Sequence, residues 1–312
     1  MKVAILGSGA IGSFVGSALL KGGADVWFVD KYKDHVDAIN KDGLIVEVKN
    51  QKETLKAKAS NNGAEVGVCD VVIVLVKGPQ TRSSIEEYKE LFDKNTFVVT
   101  LQNGVGNADI LFEMFAKEKV GYGVMHIASK MIAPGHVSGM LTDHYDILFR
   151  GADPNIKPAK LAELEKIFND GGMRAYYSND ADKFIWKKMV VNCAVNITCG
   201  LVRVTMGQLF DANGGEELQK NIVKELIEVA NALGVDISFE EGWKYYTVEN
   251  LPAIRAHYPS ATQDIMKKRP TEIDFLNGAV SRLGKQLGIS TPVNDTITLL
   301  QHALEDTYSV QF

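Results

Sequence analysis

Cysteine, histidine and surplus positive charge are all scarce in this 312-residue chain, and each scarcity excludes a class of function. The three cysteines (Cys69, Cys193 and Cys199) are an odd number in largely apolar surroundings, which suits buried thiols in a reducing compartment rather than a disulfide framework. Six histidines are scattered with no H-x-x-x-H or Cys/His spacing, so no metal site is expected. A net charge of −5 argues against nucleic acid or an anionic membrane surface as partner. The apolar run 71–76, Val-Val-Ile-Val-Leu-Val, is far short of the ~20 residues that span a bilayer and reads as a buried strand. Because a strand pattern begins at residue 2, no targeting peptide is expected, and the expected location is the cytoplasm.

What remains is an ordinary globular composition, 46% hydrophobic and 23% charged, in a chain long enough for two cores. The first half alternates short apolar runs with helical patterns, the signature of a parallel sheet covered on both faces. Strands are expected at 2–6, 26–29, 43–48, 53–59, 71–76 and 96–101, with a hairpin across Asn50-Gln51. More strands follow between 120 and 149, with a turn at Pro134-Gly135, and a last one at 173–177. Helices are expected at 35–41 and 80–92. Beyond Asp180 strand patterns vanish, and helices are expected at 182–199, 214–233, 239–249, 270–287 and 292–307. The expected fold is therefore α/β: a Rossmann dinucleotide-binding domain over residues 1–178, then an all-helical domain over 179–312. Its long helices leave room for a homodimer interface that nothing in the sequence specifies.

The stretch richest in information is Gly7-Ser8-Gly9-Ala10-Ile11-Gly12, with an apolar strand before it and a helical pattern after it. Gly7 permits the tight turn, Gly9 lets the backbone approach a phosphate, and Gly12 lets helix and strand pack closely. The helix's unpaired N–H groups and positive dipole end then face a pyrophosphate. Asp30 ends the second strand pattern, where a carboxylate accepts from the ribose hydroxyls of NAD and repels a 2′-phosphate. Lys31, next to it, could instead pair with that phosphate. The balance leans to NAD(H), with NADP(H) as the alternative; a plain turn role for Asp30 also stays open. Lys77 and Asn103 each lie just past a strand end, where ligands bind in doubly wound sheets. Taken alone, either could be a loop residue.

In the first helical segment of the second half, Lys188, Asn192 and Asn196 fall at i, i+4 and i+8, one narrow polar face on an otherwise apolar helix. Burying such groups unsatisfied costs roughly 1–3 kcal/mol each, so a stripe of this kind usually faces a ligand or a wet channel. The alternative is a structural network tying neighbouring loops. In Arg269-Pro270-Thr271-Glu272-Ile273-Asp274, Pro270 suits a first helical position and the acids suit an opening turn. Spacing alone does not lift Glu272 above that role.

With these motifs in view, the chain resembles the ketopantoate reductase (2-dehydropantoate 2-reductase) family from end to end. The resemblance rests on Gly7-Ser8-Gly9-Ala10-Ile11-Gly12, Val76-Lys77 and Leu101-Gln102-Asn103-Gly104-Val105-Gly106. It rests further on Trp186-Lys187-Lys188 with Asn192 and Asn196, on Ser260 with Gln263-Asp264, and on the segment from Arg269 to Asp274. It implies that Lys188 is the catalytic proton donor and Glu272 its partner. Asn192, Asn196 and Ser260 would hold a 2-oxo acid, Asn103 would sit at the nicotinamide end, and Lys77 would be a further cofactor contact. Two features depart from the family's pantoate-forming members: Asp30 beside Lys31, and Ala261-Thr262 with Thr198-Cys199-Gly200 along the pocket wall. Asp30 leans the reading toward the NADH-using D-2-hydroxyacid dehydrogenases of the family, the D-mandelate type among them, acting on branched or aromatic 2-oxo acids. The NADPH-dependent 2-dehydropantoate 2-reductase is the alternative. A 3-hydroxyacid dehydrogenase, or a nicotinamide-binding sensor without chemistry, is a more distant one.

Overall fold

Residues along the first strand, Lys2–Leu6, alternate between two buried faces: Val3 and Ile5 enter one apolar cluster, Ala4 and Leu6 another. Val71 and Ile73 against Val72 and Val74 repeat the pattern. A strand buried on both faces belongs inside a parallel sheet with helices above and below. The computed structural model describes residues 1–141 and 145–311.

Among the described residues the strands are β1 (Lys2–Leu6), β2 (Asp25–Val29), β3 (Leu44–Val48), β4 (Gln51–Leu55), β5 (Lys58–Ser60) and β6 (Val71–Val74). They continue with β7 (Phe97–Thr100), β8 (Val120–Met125), β9 (Ala128–Ala133), β10 (His136–Met140), β11 (Ile147–Gly151) and β12 (Ala175–Tyr177). An 8-stranded sheet has the order β12-β11-β8-β7-β6-β1-β2-β5, and a 4-stranded sheet the order β4-β3-β10-β9. In the larger sheet β1 pairs in parallel with β2 on one side and β6 on the other, Leu6 facing both Val29 and Val74. The chain therefore leaves β1, β2 and β6 along one carboxyl edge, at the point where strand order reverses, which is where such sheets bind ligands. Helix α1 (Ala10–Lys21) follows β1, and α2 (Lys33–Asp42) follows β2.

Several boundaries differ from the sequence reading for local reasons. The β3–β4 hairpin turns at Lys49-Asn50, whose φ values of 49° and 63° suit a tight reversal. The expected strand 53–59 is divided, β4 going to the small sheet and β5 pairing with β2. The expected helix 80–92 is a helix only over Thr81–Glu87, with short 3-10 turns before and after. Within the strand-rich region 120–149, Thr142, Asp143 and His144 lie outside the described residues.

Contacts group the chain into two units, residues 1–102 with 107–181, and residues 103–106 with 182–312. The second unit is mainly helical. Its long helix Ala181–Val202 buries Met189, Val190, Cys193, Ala194 and Ile197 among residues such as Ile222, Val223 and Leu226 of the helix Gly215–Ala232. Pro292 opens the helix Pro292–Asp306, as expected of a first-turn proline. The expected helix 239–249 is α-helical only over Phe239–Lys244 and then widens to a π-helix over Tyr245–Asn250. Pro252 has no N–H to offer the preceding turn, and Asn250 Nδ2 donates to the Tyr245 carbonyl at 2.7 Å. The expected helix 270–287 keeps its end at Leu287 but not its start. It begins only at Asn277, because Leu276 (φ −112°, ψ −113°) breaks the backbone after a 3-10 turn over Ile273–Phe275.

Candidate active site

Chemistry-bearing residues gather in two places, one in each unit. In the N-terminal unit, Gly7 has φ +96°, and a Cβ on it would lie 2.4 Å from the Val76 amide nitrogen. The Gly7 and Ser8 amides donate to the Val29 carbonyl, at 2.9 and 3.2 Å, so they serve the fold. A Cβ on Gly12 would lie 2.1 Å from the Gly7 carbonyl oxygen, which makes Gly12 a condition of the turn as well as of helix packing. Gly9 differs: a Cβ there would meet nothing within 4 Å. It caps α1, which Ala10 and Ile11 open, with no side-chain cap and no acid in the first turn. Ser8 Oγ, on a fully buried residue, has no hydrogen-bond partner. An open approach, an uncapped helix N-terminus and an orphaned hydroxyl together suit an anion such as a dinucleotide's diphosphate.

Asp30 is half-buried at the end of β2, and its Oδ1 accepts the Tyr32 amide at 3.0 Å. The turn role considered for it is therefore real, although it occupies only one face of the carboxylate. Lys31 is exposed and pairs with Glu87 at 2.5 Å. Lys77 is exposed where the chain leaves β6. Gln102 braces that exit: its Nε2 donates to the Val76 carbonyl at 2.7 Å and to Thr81 Oγ1 at 2.8 Å, while Thr100 Oγ1 donates to its Oε1. Sequence reasoning quoted Gln102 but gave it no task.

In the helical unit, Lys188 and Asn192 are half-buried and Asn196 is 7% exposed along one face of the helix Ala181–Val202. Burial pushes the Lys188 ammonium down to about 8, and the charge of Glu272 opposes that shift. Glu272 is itself buried, 8% exposed, and makes no helix-capping bond. No α-helix starts at Pro270; Glu272 instead precedes the 3-10 turn Ile273–Phe275, and its backbone carbonyl rather than its side chain accepts the opening bond, from the Phe275 amide at 3.0 Å. Asp274 bonds to His302 Nε2 at 2.9 Å. The segment leading to Glu272 is held from below: the Thr271 amide and hydroxyl both donate to Glu305 Oε1, at 2.9 and 2.6 Å. Asn277 Nδ2 reaches the Cys193 carbonyl at 3.2 Å and Asn294 Oδ1 at 2.9 Å, tying the same segment to the helix of Lys188. Glu305 and Asn277 escaped the sequence reading, because no local spacing marks them.

Asn103 begins the loop 103–106, which groups with this unit. The Val105 amide donates to the Phe275 carbonyl at 2.8 Å, and a Cβ on Gly104 (φ +91°) would lie 2.2 Å from that oxygen. The loop is therefore pinned three residues from Glu272, and glycine is required for it. Ser260 is exposed at the start of the helix Ser260–Met266. Two positions on, Thr262 Oγ1 donates to the Asn196 carbonyl of the stripe helix, 3.5 Å away. Among the described residues no group of three or more His, Cys, Asp or Glu could hold a metal ion, and no helix is long and apolar enough to cross a membrane.

The family model described as ketopantoate reductase PanE/ApbA matches residues 3–149, and its C-terminal counterpart matches residues 180–305. A 2-dehydropantoate 2-reductase of Streptococcus pyogenes is 33% identical over the whole of both chains. One from Aquifex aeolicus is 31% identical over 98% of this chain and 97% of its own. Among solved structures, a ternary complex of D-mandelate dehydrogenase with NADH and anilino(oxo)acetate superposes with a TM-score of 0.89 at 30% identity, covering 99% of this chain and 100% of that one.

Proposed function

The chain belongs to the ketopantoate reductase family of NAD(P)-dependent oxidoreductases, and on that premise we propose that it reduces 2-dehydropantoate, a branched 2-oxo acid, to the (R)-2-hydroxy acid. The observation that carries 2-oxo acid reduction is Lys188, an ammonium drawn down to about 8 with the charge of buried Glu272 opposing that shift, on a face shared with two carboxamides; the relatives' names carry the choice of substrate. When bound, the nicotinamide supplies the hydride. The glycine loop, Asp30 and Lys77 hold the dinucleotide, with Asn103 at its nicotinamide end. Lys188 steadies the negative charge that develops on the carbonyl oxygen and delivers a proton to it. A donor with a value near 8 is charged at neutral pH yet gives up its proton readily. Glu272 keeps Lys188 charged against its burial. Asn192, Asn196 and Ser260 orient the acid and bind its carboxylate.

The sequence alone leaned toward a mandelate-type D-2-hydroxyacid dehydrogenase. The relatives matched from end to end carry the name 2-dehydropantoate 2-reductase, which moves the weight to that reaction. The mandelate-type reading keeps two supports: the D-mandelate dehydrogenase neighbour with NADH, and Asp30 at the ribose position with Lys31 engaged by Glu87. Those same residues lead us to propose NADH over NADPH as the reductant. A panel of 2-dehydropantoate, 2-oxoisovalerate and benzoylformate, each with NADH and NADPH, tests both readings. Highest kcat/KM on 2-dehydropantoate supports the first; highest kcat/KM on benzoylformate overturns it in favour of the second.

A further inference from the structure

His35 is fully buried in α2, and the proposed reaction leaves it without a task. Its Nδ1 accepts the Gly135 amide at 2.9 Å, and its Nε2 lies 2.9 Å from Ser13 Oγ. Ser13 Oγ in turn donates to the Ser8 carbonyl at 2.7 Å. These contacts assign every proton. An amide N–H only donates, so Nδ1 is bare; the one hydroxyl proton of Ser13 is committed to Ser8, so Nε2 carries hydrogen and donates to Ser13. The ring is neutral. Burial lowers its proton affinity, while the charge of Asp30 and a hydrogen bond to the Ser8 backbone act in the opposite sense.

The result is a continuous relay from the turn between β9 and β10, through His35 and Ser13, to the glycine loop. Its endpoint matters because a trans peptide points its C=O and its N–H in opposite directions. Pinning the Ser8 carbonyl toward Ser13 therefore aims the Gly9 N–H the other way. The relay is also coupled to the ribose end: the Tyr32 ring stacks on His35 with centroids 6.2 Å apart, and the Tyr32 amide is held by Asp30.

We propose that His35 and Ser13 are positioning residues for the dinucleotide, setting the Ser8–Gly9 peptide so that the loop presents its N–H to the diphosphate. The proposal rests on the reading that this loop takes a nicotinamide dinucleotide. Calorimetric titration of the full chain with NADH and with ADP-ribose, alongside the Tm of the cofactor-free protein, tests it on Ser13→Ala, His35→Leu and His35→Gln. Ser13→Ala and His35→Leu should loosen both ligands about tenfold and raise the KM for the cofactor, with kcat within about twofold of wild type. His35→Gln, whose amide N–H can replace Nε2–H, should recover most of the affinity. Wild-type affinity in Ser13→Ala overturns the relay. So does a loss that is equal in His35→Gln and His35→Leu and tracks a fall in Tm, because that is a purely structural role. A wild-type chain that binds neither ligand overturns the dinucleotide reading itself.

Discussion

The glycine loop and the stripe around Lys188 are built on opposite principles. The loop is made almost wholly of backbone: its defining feature is missing side chains, and its charge is the dipole end of a helix. The stripe is made of side chains, an ammonium, a carboxylate and two carboxamides, partly removed from water. A backbone site leaves little room for added volume where its ligand approaches but has little to titrate. A side-chain site tolerates a change of shape but depends on one proton. Changes in the loop should therefore act on cofactor affinity, and changes in the stripe on turnover and its pH dependence.

The sharpest break in that contrast comes from Lys188→Ala. Removing the proton donor and its charge should lower kcat by roughly a thousandfold or more while dinucleotide affinity measured by calorimetry stays near wild type. A variant that kept its turnover would remove Lys188 from the mechanism. Next in size is Glu272→Gln, expected to cost on the order of 10- to 100-fold in kcat. It also carries a signed pH effect. In the wild type, reduction needs the ammonium, so the rate should fall as pH rises through about 8. Glu272 opposes the lowering by burial; without it the alkaline limb should move to lower pH. An unmoved limb in the pH–rate profile would show that another group titrates there.

Gly9→Ala sharpens the comparison from the loop's side. Because a Cβ at Gly9 meets nothing within 4 Å, the cofactor-free protein should keep its Tm. The added volume should nevertheless weaken NADH binding by about tenfold or more, since it occupies the side a diphosphate approaches. A fall in Tm with unchanged affinity would reverse that assignment. The smallest effect is expected from Glu87→Gln. It frees Lys31 from an exposed pair of the kind typically worth about 0–1 kcal/mol, so the ratio of kcat/KM for NADPH over NADH should rise only a few-fold. No rise would mean that Lys31 does not face the ribose.

The two regions also differed in how much of them could be read in the sequence. Gly7 to Gly12 is a local motif whose strand and helix are adjacent in the chain, and the stripe obeys a helical period. Both are short-range patterns. The supports are not: Glu305 reaches Thr271 across 34 positions and Asn277 reaches Cys193 across 84, and no spacing rule joins them. Pro270 misled because a proline that can begin a helix can equally precede a 3-10 turn. What decides is the Leu276 backbone, fixed by contacts the sequence does not display. The π-helix at Tyr245 was hidden because an apolar period near 3.6 hardly registers one wider turn. Asp30 shows a further limit, since a carboxylate that satisfies a turn, here by accepting the Tyr32 amide, is compatible with the ribose role proposed for it.

The four residues from Asn103 to Gly106 bear on how this protein can be taken apart. They are encoded in the middle of the sheet-forming half, yet their amide at Val105 completes the carbonyl of Phe275 in the helical half. A fragment cut at Asp182 would leave that oxygen without its donor, next to the turn that carries Glu272. Any attempt to produce the helical half alone must therefore graft the loop back, and grafting between genes must exchange it together with the segment it clasps.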